Sequence, residues 1–269
     1  MINGVIYLLK RFSWFKRVNA KVTYELLAKY IPAQDWHFMN YGYHPRASDA
    51  PLALDGQVTQ LYPAQMYHYL AAKVPIEGKD VLEVGSGRGG GARYIAEHLR
   101  PQQYTGVDLA GNAVDLANKI HVLPNLKFIQ GSAEALPIPD NSVDVVLNVE
   151  SCHAYGSVPK FLEEVTRVLR PNGSFLMVDF RNSQENMHLL KLALKDTGLA
   201  LQEEEDISLN VIQAIEAEDA TKRQRISECV PPRWQKLFSD FAGVMGSRFH
   251  ETLKAGTRTY WRFHLKKIA

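Results

Sequence analysis

Asp80-Val81-Leu82-Glu83-Val84-Gly85-Ser86-Gly87-Arg88-Gly89-Gly90-Gly91 is a short apolar run, an acid, and then a turn built largely of glycine. Val81, Leu82 and Val84 suit a buried parallel strand. Ala92, Tyr94, Ile95 and Ala96 beyond the glycines suit the start of a helix. Strand, bare turn and helix N-terminus together present backbone N–H groups to a ligand, with no side chains in the way. Glycines cost conformational entropy and pack against nothing, so such a turn makes poor sense without a ligand.

Outward from this stretch the pattern repeats. Strand 80–84 precedes helix 90–99, and strand 103–108 precedes helix 112–121. Strand 126–130 leads through a loop to strand 143–149. Helix 158–169, strand 174–179, helix 184–197 and a short strand near 200–205 follow. This alternation predicts an α/β fold, a mostly parallel sheet with helices on both faces. Residues 61–73 form a helix leading into it. Residues 208–245 read as a helical insert, with Pro231-Pro232 opening a new helix. The aromatic run Arg258 to Lys266, after Gly256 as a hairpin turn, is expected to enter the sheet antiparallel as a seventh strand.

The 269 residues allow one large domain, or a domain with a lid. The division expected is 1–60 as helical lid and covering loop, and 61–269 as the main domain. Residues 1–31 are basic and amphipathic, with Phe12, Phe15, Val18 and Val22 at helical steps among Lys10, Arg11, Lys16 and Arg17. They either pack as the lid or lie on a membrane surface. A net charge of +2 makes no case for nucleic acid. Cys152 and Cys229 make neither a disulfide framework nor a zinc site, and a reducing cytoplasm is the default. No run is long and apolar enough to span a membrane. The histidines show no metal-ligand spacing, so no metal is expected.

Two cofactor patterns fit the turn. Gly85, Gly87 and Gly90 satisfy the dinucleotide fingerprint G-x-G-x-x-G. Glu83, Gly85 and Gly87 satisfy E-x-G-x-G, which resembles motif I of S-adenosylmethionine (SAM) dependent methyltransferases. Glu83 favours SAM, since a carboxylate repels a pyrophosphate and attracts a cation. Ligands of open α/β sheets sit at the carboxyl ends of the strands. At those ends Asp108, beside Leu109, either accepts ribose hydroxyls or caps the next helix. Gly131-Ser132-Ala133-Glu134-Ala135-Leu136-Pro137 resembles the G-D-A-E-x-L-P segment that holds adenine, with Ser132 in place of Asp. Asn148 would meet the methionine end, alongside Gly85, Ser86 and Gly87.

With those segments, Asn40-Tyr41-Gly42-Tyr43, Leu61-Tyr62, Tyr104-Thr105-Gly106, Asn148 to His153 and Phe161 to Pro171 carry a likeness along most of the chain. The chain resembles class I SAM-dependent small-molecule methyltransferases. Within them it is most similar to the mycobacterial phthiotriolone ketone O-methyltransferase group, which modifies long-chain polyketide lipids. The resemblance implies a Rossmann-like seven-stranded sheet, SAM as donor and S-adenosylhomocysteine as product. It also implies O-methylation of a small hydrophobic acceptor, with N- or C-methylation, or SAM binding without transfer, as alternatives.

Transfer to a hydroxyl requires alignment and removal of a proton. His153, following the fourth strand, is the candidate base, at the position where related O-methyltransferases carry E-S-x-H. Asp179, ending the fifth strand, either supports its imidazole or pairs with Arg181. Tyr41 and Tyr43 either close over the sulfonium by cation–π attraction or pack their own loop. Trp14, Phe15, Ile212, Ile215, Trp234 and Phe238 either line an acceptor pocket or pack on the sheet.

Overall fold

The computed structural model describes residues 36–49 and 60–268; the expected lid over 1–31, with Trp14 and Phe15, lies outside them. The described elements run α1 (Leu61–Ala71), β1 (Asp80–Val84), α2 (Gly90–His98), β2 (Gln103–Asp108), α3 (Gly111–Ile120), β3 (Leu126–Gln130) and β4 (Val143–Val149). A single 3-10 turn (Cys152–Ala154) follows, then α4 (Val158–Val168), β5 (Leu169–Arg181), α5 (Gln184–Lys195) and β6 (Leu199–Asp206). The chain ends α6 (Ser208–Cys229), α7 (Pro232–Ala242), α8 (Arg248–Lys254) and β7 (Thr259–Lys267).

The strands form one seven-stranded sheet in the order β3-β2-β1-β4-β5-β7-β6. Six run parallel; β7 is antiparallel to both β5 and β6. The reversal follows from the insert. Helices α6 to α8 begin where β6 ends and finish where β7 begins, at the carboxyl edge of the sheet, so β7 has to run back down it. Gly256, expected as a hairpin turn, instead follows α8 with φ at +70°, a helix exit in the left-handed region that suits glycine. The short helix α8 escaped the sequence pattern, and β5 is longer than the expected 174–179.

Alternation along the strands sends side chains to two cores. Val81, Tyr104, Leu147 and Val178 share one with Tyr67, Ile95, Val114 and Ile215. Leu82, Val107, Val146 and Met177 share the other with Phe161, Val165, Leu190 and Phe263. Ile215 is fully buried in the first core and Ile212 packs against it, so both serve the sheet rather than a pocket. Phe238 packs with Trp36, whereas Trp234 is 47% exposed. Among the described residues no helix is long and apolar enough to cross a membrane.

Candidate functional site

Strands β1 to β4 open their carboxyl ends into one cleft of about 960 Å³, solvent mouth included. Its wall is made by Gly85 to Arg88 after β1, Asp108 and Leu109 after β2, Gly131 to Glu134 after β3, and Val149 to Ser151 after β4. The segment His37 to Asn40 and Tyr67 of α1 complete it.

The glycine turn is held from behind. Gly85 and Ser86 donate their N–H groups to Val107 O at 2.8 and 3.1 Å. Gly85 and Gly87 have φ of +80° and +53°, conformations that a side chain strains. Gly90 opens α2 and donates to His37 O, and a Cβ there would stand 2.5 Å from that oxygen. The turn therefore admits the segment 36–43 as a strap across the cleft. Gln60 Oε1 accepts from the amides of His37 and Phe38, and Glu150 Oε1 accepts from Tyr41 N–H at 2.7 Å.

Glu83 lies beneath the turn, fully buried, and accepts from Tyr67 OH at 2.7 Å and Tyr104 OH at 2.9 Å. Burial pushes its carboxyl up to about 7, against the pull of those two hydroxyls. It meets the cleft through Tyr67 rather than directly. Asp108 takes Gly87 N–H on Oδ2 at 2.8 Å and Ala110 N–H on Oδ1 at 2.9 Å. It thus braces both the turn and the entry to α3 while lining the cleft. Ser132, Ala133 and Glu134 line it too; Glu134 also receives the amides of Gly156 and Ser157.

Three expected contacts stand elsewhere. Asn148 is fully buried behind the wall, its Nδ2 donating to Val84 O, Ser151 Oγ and Tyr155 OH. Tyr43 is fully buried, stacked on Tyr69 at 3.9 Å, with its hydroxyl donating to Asp49. Tyr41 stacks on Phe249 at 3.7 Å, and it is its peptide that turns toward Glu150. Packing partners distant in the chain capture both tyrosine rings, so neither lines the cleft.

His153 and Asp179 meet. Asp179 Oδ1 lies 2.8 Å from His153 Nδ1, and Oδ2 accepts the His153 backbone N–H at 2.8 Å. Arg181 Nη1 stands 3.0 Å from Oδ2. Burial raises the Asp179 carboxyl, but the charges of His153 and Arg181 prevail and hold it at about 2. With Nδ1 committed to an ionised carboxylate, neutral His153 carries its proton there and offers Nε2 as a base. The ring borders a second cavity, with Cys152, Tyr155, Phe180, Arg181 and Leu189 among its walls; Tyr155 borders the first cleft as well.

Glu150 went unremarked as a site residue in the sequence, although it stands two places from Asn148. It lines the cleft, is 8% exposed and has φ of +47°, which turns its side chain inward. The cleft suits SAM on two observations. Ser86 Oγ is buried in its wall without a partner, and Glu150 has no Lys, Arg or His within 4 Å among the described residues. A cationic ligand with hydrogen-bonding groups satisfies both; a pyrophosphate brings Glu150 no positive charge. Among the described residues no group of three or more His, Cys, Asp or Glu is placed to hold a metal ion.

Comparison with known proteins agrees. Residues 82–177 match the model of a methyltransferase domain family. The sequence is 35% identical to a fatty-acid O-methyltransferase of Mycolicibacterium smegmatis, over 99% of this chain and 98% of that one. It is 32% identical to a phthiotriol/phenolphthiotriol dimycocerosates methyltransferase of Mycobacterium leprae, over 95% and 94%. In fold it is similar to geranyl diphosphate C-methyltransferase from Streptomyces coelicolor A3(2), solved with S-adenosyl-L-homocysteine (TM-score 0.66, 14% identity, 94% of this chain and 98% of that one). It is likewise similar to the [4+2]-cyclase SpnF (TM-score 0.68, 18% identity, 93% and 95%).

Proposed function

The chain belongs to the SAM-dependent methyltransferase family of the fatty-acid and phthiotriol enzymes, and from that premise we propose that it methylates a hydroxyl of a lipid- or polyketide-like acceptor with His153 as general base. The observation that carries the base assignment is the His153–Asp179 pair, 2.8 Å apart with the carboxylate fully buried.

Bound SAM supplies a methyl carbon already activated by a sulfonium leaving group. The protein's tasks are alignment and proton removal. Asp108 would hold the ribose hydroxyls, and the Ser132 to Glu134 segment would border the adenine. The Gly85 to Gly87 turn would take the methionine end. On the acceptor side, the cavity beside His153 receives the reacting hydroxyl. Leu189, Val158 and Phe180 offer it apolar contact, and Asn182 and Asn186 offer hydrogen bonds. With SAM bound, the hydroxyl proton would pass to His153 Nε2 as the acceptor oxygen takes the methyl group and S-adenosylhomocysteine leaves as the neutral thioether. Asp179 steadies the resulting imidazolium. The reading includes a reducing, cytoplasmic setting, supported by the free thiols of Cys152 and Cys229.

The test is His153→Ala assayed with a long-chain secondary alcohol across pH 6–9. Turnover is expected to fall about 10²-fold at every pH of the series. Near-normal turnover at every pH removes the base assignment. It would point instead to an acceptor already ionised, such as an ionised fatty acid, the acceptor class in the name of the Mycolicibacterium relative.

A further inference from the structure

The cleft wall follows the sheet order β3-β2-β1-β4. The adenine segment is after β3 and the ribose acid after β2. The methionine turn is after β1, and Glu150 comes next, after β4. A donor laid along that wall puts its sulfur and amino-acid end between the turn and Glu150. The other carboxylates nearby are committed. Asp108 braces the turn, Glu134 the Gly156 and Ser157 amides, and Asp179 faces Arg181 and His153. Glu83 is closed off under Tyr67 and Tyr104.

We propose that Glu150 is the anion that recognises the sulfonium of the donor, so that the site prefers SAM to the uncharged thioether product. The proposal rests on SAM as the ligand of this cleft. SAM and S-adenosylhomocysteine share the adenosine and the amino acid and differ in one methyl group and one charge. A buried carboxylate at the sulfur end senses that difference, whereas Asp108 and the Ser132 segment do not.

The surroundings of Glu150 support this role. It accepts Tyr41 N–H from the strap. Tyr260 from β7, Asp179 from β5, Lys222 from α6 and Tyr67 from α1 face it as well. The Lys222 ammonium neighbours Glu218 at 3.8 Å and Tyr41 O at 3.5 Å, and so does not neutralise Glu150 directly. Burial, its largest influence, pushes the Glu150 carboxyl up to about 8, against the Tyr260 hydroxyl, the Tyr41 amide and Lys222. At neutral pH without a cation the group is therefore largely protonated. It surrenders that proton to solvent when a sulfonium enters, and takes one back from solvent once the sulfur is neutral. Product then leaves a site that no longer attracts it.

Titration calorimetry of the whole chain, with Glu150→Gln and Glu150→Asp beside the parent, tests this. Gln keeps the acceptor for Tyr41 N–H and removes the charge. SAM affinity is expected to fall about tenfold or more in Glu150→Gln, with S-adenosylhomocysteine affinity unchanged, which also shows the variant folded. Glu150→Asp restores part of the preference. Repeating the parent titration at pH 7.5 in buffers of different ionisation enthalpy should show proton release with SAM and none with S-adenosylhomocysteine. Equal loss for both ligands, no loss for either, or proton release with both overturns the proposal. If the parent binds neither ligand, SAM itself is the wrong reading of the cleft and the proposal falls with it.

Discussion

Replacing Asp179 with Asn keeps the shape of the side chain and removes its charge. Arg181 Nη1, 3.0 Å away with its side chain 11% exposed, loses its counter-ion. Asp179 is held at about 2 against an ordinary 3.8, the charges of His153 and Arg181 outweighing burial. Arg181 acts at every pH because a guanidinium stays charged. A carboxyl lowered that far contributes about 2 kcal/mol to folding at neutral pH. Leaving Arg181 buried and unpaired brings the cost of the variant to about 3–5 kcal/mol. For a chain of this size that lowers Tm by roughly 6–15 °C. The sign with pH follows from the lowered value. The contribution is complete above the unfolded value near 4 and is lost as pH falls through 2. Calorimetric scans of parent and variant between pH 5 and pH 3 should therefore show a gap that narrows as pH falls. A variant melting within about 2 °C of the parent at pH 7, or a gap that widens with acid, refutes the reasoning.

Two more outcomes follow from the cleft wall. A Cβ built at Gly91 lands on the Tyr67 ring, so Gly91→Ala should push Tyr67 off Glu83 and destabilise by about 1–3 kcal/mol, with weaker SAM binding; an unchanged urea midpoint and unchanged affinity would contradict the packing. Ser132 accepts the Glu134 amide on Oγ at 3.2 Å, and Ser132→Asp keeps that bond while adding a charged acceptor for an adenine amino group. SAM and S-adenosylhomocysteine should both bind about 3- to 10-fold more tightly by calorimetry, and no gain would move the adenine away from this segment.

The parts of the molecule legible in sequence are those written in local pattern. The apolar runs with their glycine turn, and the acid that ends β2, depend on neighbours a few residues away. The meeting of His153 with Asp179 was legible because both stand at strand ends, and topology brings them together from β4 and β5. It was illegible where partners are distant. The rings of Tyr41 and Tyr43 are taken by Phe249 and Tyr69, and nothing near residues 41–43 announces that. Glu83 looked like an acid offered to a ligand; its two tyrosines, from α1 and β2, turned it inward. Glu150 was overlooked because an acid after a strand is ordinary until its burial in a cleft wall is seen. Helix α8 was missed for its brevity and for Gly256 beside it, which marks helix exits and hairpins alike.

The antiparallel seventh strand bears on how the molecule is made. Among the described residues β7 alone bridges β5 and β6, and a ribosome delivers it after the other six strands of the sheet. Until then β5 shows an open edge, with Phe175, Met177 and Val178 on it, and β6 has no neighbour among the described strands. A nascent chain in that state presents a ready template for pairing with another copy. The glycine-turn half of the sheet can assemble early, while the half that carries Asp179 waits for the last strand to slot in.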